Sequence, residues 1–142
     1  MPEETPLILV IDDKDSLMDG GGWVRLCEKY EIPCEPVIRD TKEEILETIE
    51  GIFRDDDGLM FVGTVLDLIY RGQPRGGIEL WEELEAKGLA NRCGKLFVTT
   101  KIDSDEVVDF AESRGAMLNT RLPSEHKEMA FKRFLRQSGL LA

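Results

Sequence analysis

The sequence predicts an α/β fold: a single doubly wound five-stranded parallel sheet in the order 2-1-3-4-5. Three observations predict it. Apolar runs of strand length alternate with segments of helical period, the pattern of a parallel sheet covered on both faces. Acidic residues close two of the runs, Asp12 and Asp13 after Leu7-Ile8-Leu9-Val10-Ile11, and Asp67 after the stretch from Leu59 to Leu66. Right-handed crossovers between parallel strands then select the strand order.

The strands fall at about 7–12, 34–39, 59–67, 95–100 and 116–120. The first helix is expected to begin near Trp23, because each residue of Gly20-Gly21-Gly22 costs roughly 1 kcal/mol of helix propensity. Thr41 opens the second helix, with Glu44 placed as the acid of a capping box and Ile45, Leu46, Ile49, Ile52 and Phe53 on one face. It ends before the Asp55-Asp56-Asp57-Gly58 turn. Helices from about Gly77 to Lys87 and from about Ser104 to Ser113 stop at Gly88 and Gly115, where glycine suits a helix C-terminus. Pro123 starts the last helix, to about Gln137. No internal repeat, low-complexity tract or linker divides the chain, so residues 1–142 read as one domain of ordinary size.

A formal net charge of -11 repels nucleic acid and anionic membranes, and neither is an expected partner. Cys27, Cys34 and Cys93 are odd in number and lack C-x-x-C spacing, which argues against a disulfide framework or structural zinc and for reduced cysteines. The chain begins Met-Pro-Glu-Glu without a basic leader, and its apolar stretches are strand length. A soluble cytoplasmic protein is expected.

Two buried strands ending in acids bring Asp12, Asp13 and Asp67 to one sheet edge, a place to hold a divalent cation and handle a phosphoryl group. Ligands of open parallel sheets lie beyond the carboxyl ends of the strands. Magnesium prefers hard oxygen ligands, and a bound cation offsets the mutual repulsion of clustered carboxylates. Other features have plainer readings. Asp55-Asp56-Asp57 reads as a solvated turn, and Gly20-Gly21-Gly22 lacks the Lys-Ser/Thr of a P-loop. His126 lies in the first turn of a helix with no nucleophile nearby, and Lys127, Lys132, Arg133 and Arg136 read as a solvated face.

Val10-Ile11-Asp12-Asp13, Val65-Leu66-Asp67-Leu68, Phe97-Val98-Thr99-Thr100, Gly115-Ala116 and Leu122-Pro123, in that order, resemble the receiver domain of two-component response regulators. The resemblance covers nearly the whole chain and implies the flavodoxin-like receiver fold. It makes Asp12 and Asp13, with Asp67, the magnesium ligands, Asp67 the phosphoacceptor and Thr100 the hydroxyl that binds a phosphoryl oxygen. Thr100 is preferred to Thr99 because its distance to Gly115-Ala116 suits the family's fourth helix. The implied partners are a histidine kinase or phosphotransfer protein and an unidentified downstream protein, and the implied role is signalling rather than enzymatic turnover, by a stand-alone receiver.

The departures are specific. Leu122 occupies the family's lysine position, so the compensating cation falls to Arg121 or Lys101, with Arg71 and Arg75 of the long loop after Asp67 as further sources of charge. Asn119 stands where the family has an aromatic switch. Two alternatives therefore stand beside the phosphoacceptor. One is a pseudo-receiver that binds partners without phosphorylation. The other is a haloacid-dehalogenase-like phosphatase, whose Asp-x-Asp opening Asp13-Lys14-Asp15 resembles, although the later acidic motif and cap are not evident.

Overall fold

β1 (Ile8–Asp12), β2 (Cys34–Ile38), β3 (Gly63–Asp67), β4 (Lys95–Thr99) and β5 (Met117–Asn119) pair in parallel, in the order β2-β1-β3-β4-β5. The computed structural model describes residues 7–12, 22–68, 75–100, 104–119 and 124–141, with side chains of the last segment described from Glu128 onward. The helices are α1 (Trp23–Lys29), α2 (Lys42–Asp55), α3 (Gly76–Ala86), α4 (Asp105–Ser113) and α5 (Ser124–Gln137). This is the predicted architecture.

Side chains alternate across a strand, so each strand feeds two cores. Leu9, Ile11, Leu66, Val98 and their neighbours pack against Ile45, Ile49 and Phe53 of α2, Ile78, Trp81 and Leu84 of α3, and Val107 and Phe110 of α4. Ile8, Val10, Val65 and Phe97 face the other way, against Trp23 and Cys27 of α1 and Phe131, Phe134 and Leu135 of α5. Phe97 is the centre of that layer, with Trp23 edge-on at 5.1 Å and Phe134 at 5.2 Å between ring centroids. On the outer rim the two helices are tied by one carboxylate, since Lys29 Nζ lies 2.7 Å from Glu128 Oε2 and the Tyr30 hydroxyl donates to the same oxygen.

Local chemistry sets the helix ends. Thr41 Oγ1 accepts from Glu44 N–H at 3.1 Å, and the threonine hydroxyl donates to Glu44 Oε1, so the expected capping pair forms through the side chains. Ser104 caps α4 by accepting from Val107 N–H. α1 closes in a Schellman turn, with Ile32 N–H donating to Cys27 O at 2.8 Å and Glu31 N–H to Glu28 O at 3.1 Å. Glu31 takes the left-handed position there, at φ 57°. A side chain in that conformation costs about 1–2 kcal/mol, whereas glycine's extra freedom in the unfolded chain gives back about 0.5–1 kcal/mol. Glu31→Gly is therefore expected to stabilise the fold by about 0.5–1 kcal/mol, measured as a higher urea midpoint at unchanged slope.

The third strand starts later than its apolar run suggests, at Gly63 rather than residue 59. The cause is Arg92, whose guanidinium donates to the carbonyls of Asp56, Asp57 and Leu59 at 2.9, 2.8 and 3.1 Å while lying over the Phe53 ring. Leu59 O is thus held by a side chain and Phe61 N–H by Arg92 O, and bonds to the neighbouring strands begin only at Val62, whose N–H donates to Leu7 O and whose carbonyl accepts from Lys95 N–H. The acidic turn is exposed, as expected, with Gly58 N–H bonded to Asp56 Oδ1.

Candidate functional site

Register lines up the carboxyl ends of the strands. Ile11 pairs with Leu66, and one residue further on Asp12 stands beside Asp67. Asp67 pairs with Thr99, and Thr99 with Asn119, so one row across the sheet reads Asp12, Asp67, Thr99, Asn119. Three backbone bonds hold the chain just past that row: Arg39 N–H to Asp12 O, Leu68 N–H to Thr99 O and Thr100 N–H to Asn119 O, at 3.3, 3.1 and 3.1 Å. Adjacent strands lie about 4.8 Å apart, so the row is close enough for neighbouring side chains to share one small ligand.

Strand alternation assigns the row to the α1/α5 face, because Ile8 and Val10, Val65, Phe97 and Met117 of that core precede these residues by two or four positions. Asp12 is almost wholly enclosed, Asp67 half-buried, and Thr100, one step beyond β4, enclosed. A carboxylate as enclosed as Asp12 requires partners or a cation. The donor set is hard oxygen, which fits magnesium. Among the described residues no group of three His, Cys, Asp or Glu side chains is placed to hold a metal ion. Asp13, the expected third carboxylate, lies outside the described residues, as do Lys101, Arg121, Leu122 and Arg71. Arg75 is described, and its Nε donates to both carboxylate oxygens of Glu106 at 3.0 and 3.1 Å, which ties the expected loop charge to the first turn of α4.

Two features of the row escaped sequence reasoning. Thr99 shares the row with Asp67, putting a second hydroxyl next to Thr100 at the strand end. Asn119 is buried at 5 % exposure, and its Oδ1 has no hydrogen-bond partner among the described residues. An acceptor left unpaired in the interior costs about 1–3 kcal/mol, and here it sits at the edge where a ligand would enter. The signal in the sequence was an amide where an aromatic ring was expected.

α3 approaches the site from its N-terminus. Gly77 N–H donates to Leu68 O at 2.9 Å, and a Cβ on Gly77 would stand 2.4 Å from Asp67 O. The absence of a side chain at Gly77 is what lets the helix rest on the backbone at the end of β3.

A second hollow, an open cleft of about 700 Å³, lies at the opposite ends of the strands, among Val62, Trp81, Glu85, Lys95 and Arg114. Its charges are used within the fold. Arg114 Nη2 lies 2.8 Å from Glu85 Oε1, and Lys95 Nζ donates to Gln137 O. It is remote from the carboxylate row and offers a ligand little unclaimed charge.

Comparison with solved structures finds the same fold. A CheY-like response regulator receiver domain protein from Methanospirillum hungatei JF-1 superimposes with a TM-score of 0.64 at 20% identity, covering 96% of this chain and 98% of the other. A response regulator receiver protein from Burkholderia phymatum gives 0.64 at 20% identity over 96% and 97%, and the Vibrio cholerae chemotaxis protein CheY4 gives 0.64 at 12% over 95% and 99%. No family model and no curated protein matches the sequence. The chain has the receiver fold over nearly its full length. No helix among the described residues is long and apolar enough to cross a membrane.

Proposed function

We propose that residues 1–142 are a receiver domain that accepts a phosphoryl group on Asp67 from a histidine kinase or phosphotransfer protein and signals, in the cytoplasm, by changing which protein it binds. The row Asp12, Asp67, Thr99, Asn119 at the carboxyl edge of a receiver-type sheet carries this reading. Asp67 is the acceptor: one carboxylate oxygen forms the bond to phosphorus as the bond from phosphorus to the donor nitrogen breaks. Asp12, Asp13 and Asp67 would hold magnesium, which when bound supplies charge neutralisation and fixes the donor phosphate for in-line attack. Thr100 donates its hydroxyl to a phosphoryl oxygen. The fold's known bearers are signalling modules, and no catalytic turnover is assigned to this chain.

Charge is the pressure point. Once Asp67 is phosphorylated the site carries roughly four negative charges, two on the phosphoryl group and one each on Asp12 and Asp13, and one divalent cation offsets only two. With Leu122 at the usual lysine position, Arg121 or Lys101 is assigned the remaining cation. Incubation with acetyl phosphate and magnesium is expected to add one phosphoryl mass to the wild type, removable by hydroxylamine, and none to Asp67→Asn. Label that survives in Asp67→Asn would move the acceptor elsewhere, to Asp13 if a phosphomonoester is also turned over. A wild type that labels with neither the small donor nor a kinase is a pseudo-receiver, the reading that Leu122 favours. Arg121→Ala and Lys101→Ala in parallel identify the cation by a slower rate of labelling.

A further inference from the structure

The Schellman turn that ends α1 also brings two cysteines together. Cys27 is in the last two turns of α1, the chain reverses through Glu31, and Cys34 opens β2 in register with Ile8. Both belong to the α1/α5 core layer, Cys27 fully enclosed and Cys34 half-buried at its margin. Cys34 pairs with Ile8, so its side chain lies on the same face of the sheet as Cys27. Six residues separate them in sequence, a spacing that hides the pair from any motif search, and both are free thiols in this structure.

The two sulfurs are unequal. Interaction with the neighbouring Cys27 holds the Cys34 thiol below its ordinary range, against the opposing effects of burial and of Glu28 and Glu35. The same interaction, then burial, then the charges of Cys34 and Glu28 push the Cys27 thiol up. Cys93 is the contrast within the molecule: buried, bonded to Leu89 O, and pushed up to about 12 by desolvation.

We propose that Cys27 and Cys34 form a redox-active dithiol, with Cys34 as the attacking sulfur and Cys27 as the resolving one, converted by a peroxide-class oxidant to an intramolecular disulfide. The Cys34 thiolate attacks a peroxide oxygen, the O–O bond breaks, and the released hydroxide takes a proton to leave as water. Cys27 then gives its proton to the hydroxyl of the Cys34 sulfenic acid as its sulfur displaces it, forming the S–S bond and a second water. Two thiols lose two electrons and the peroxide gains them. The bridge ties the end of α1 to the first residue of β2, beside the strand that carries Asp12. Thiolate character and access select Cys34, and burial protects Cys93.

The test uses the full chain, treated with hydrogen peroxide, quenched, alkylated with N-ethylmaleimide and mapped by mass spectrometry. The expected product has lost two hydrogens, yields a peptide cross-linked through Cys27 and Cys34, and returns to two alkylable thiols on reduction. Before oxidation, Cys34 of the native chain should alkylate about tenfold or more faster than Cys93. In Cys27→Ala, Cys34 should stop at a sulfenic acid that dimedone traps, and in Cys34→Ser, Cys27 should resist the same dose. Recovery of both cysteines as free thiols after peroxide, or cross-links only between chains, would overturn the proposal. Since Cys27 is in the core, circular dichroism checks each variant, and the cross-link map of the wild type decides the matter if a variant does not fold.

Discussion

Gly94→Ala is expected to destabilise the fold by about 2–5 kcal/mol, a large share of the roughly 5–15 kcal/mol that holds a domain together. Gly94 joins the 3-10 turn Ala90–Arg92 to β4 at φ 72°. A Cβ there would stand 2.3 Å from Val62 C and O and 2.4 Å from Phe61 O. All three are backbone atoms. The segments cannot part, because Phe61 N–H donates to Arg92 O at 2.8 Å and Lys95 N–H to Val62 O at 3.0 Å on either side of the contact. The left-handed conformation contributes about 1–2 kcal/mol and overpacking about 1–3 kcal/mol. Gly88 separates the two effects, since its φ is 73° yet nothing lies within 4 Å of its missing Cβ. Gly88→Ala should therefore cost only the conformational part, about 1–2 kcal/mol. Urea unfolding of both variants is the measurement. Equal losses would mean that the close approach at Gly94 is unimportant.

What could be read from the sequence was local or periodic. Thr41 with Glu44 announces a helix start because the capping bonds span three residues, and Gly88 and Gly115 announce helix ends for a similar reason. Asp12 and Asp67 were legible as a pair because a strand buried on both faces reads as an apolar run, and the first carboxylate marks where that run ends. What stayed hidden depends on partners far along the chain. Arg92 claims the carbonyl of Leu59 from 33 residues away, so an apolar run that looks like strand from residue 59 pairs only from Gly63. The row shared by Asp67 and Thr99 appears only once the register of β3 on β4 is known. Asn119 looked like a departure from a family pattern, whereas its buried Oδ1, without a hydrogen-bond partner among the described residues, is a property of its position beside β4.

Gly77→Ala is the variant in which stability and the proposed chemistry should fail together. Its Cβ would stand 2.4 Å from Asp67 O, 2.5 Å from Leu68 Cα and 3.0 Å from Leu68 Cδ2, so the strand backbone or α3 must move. Alanine is the better helix former by roughly 1 kcal/mol, and this gain is too small to offset the contact. Moving α3 outward breaks the 2.9 Å bond from Gly77 N–H to Leu68 O and uncovers Ile78, Leu80 and Trp81, whereas moving the strand end shifts the Asp67 carboxylate within its row. The expected loss is about 3 kcal/mol or more. A misplacement of about 1 Å at a reacting group can lower a rate by 10²-fold, so phosphoryl labelling of Gly77→Ala should fall much further than its folded fraction. Labelling rate divided by the folded fraction, measured by circular dichroism in the same buffer, separates the two effects. A corrected rate equal to that of the wild type would show that α3 supports the fold without setting the position of Asp67.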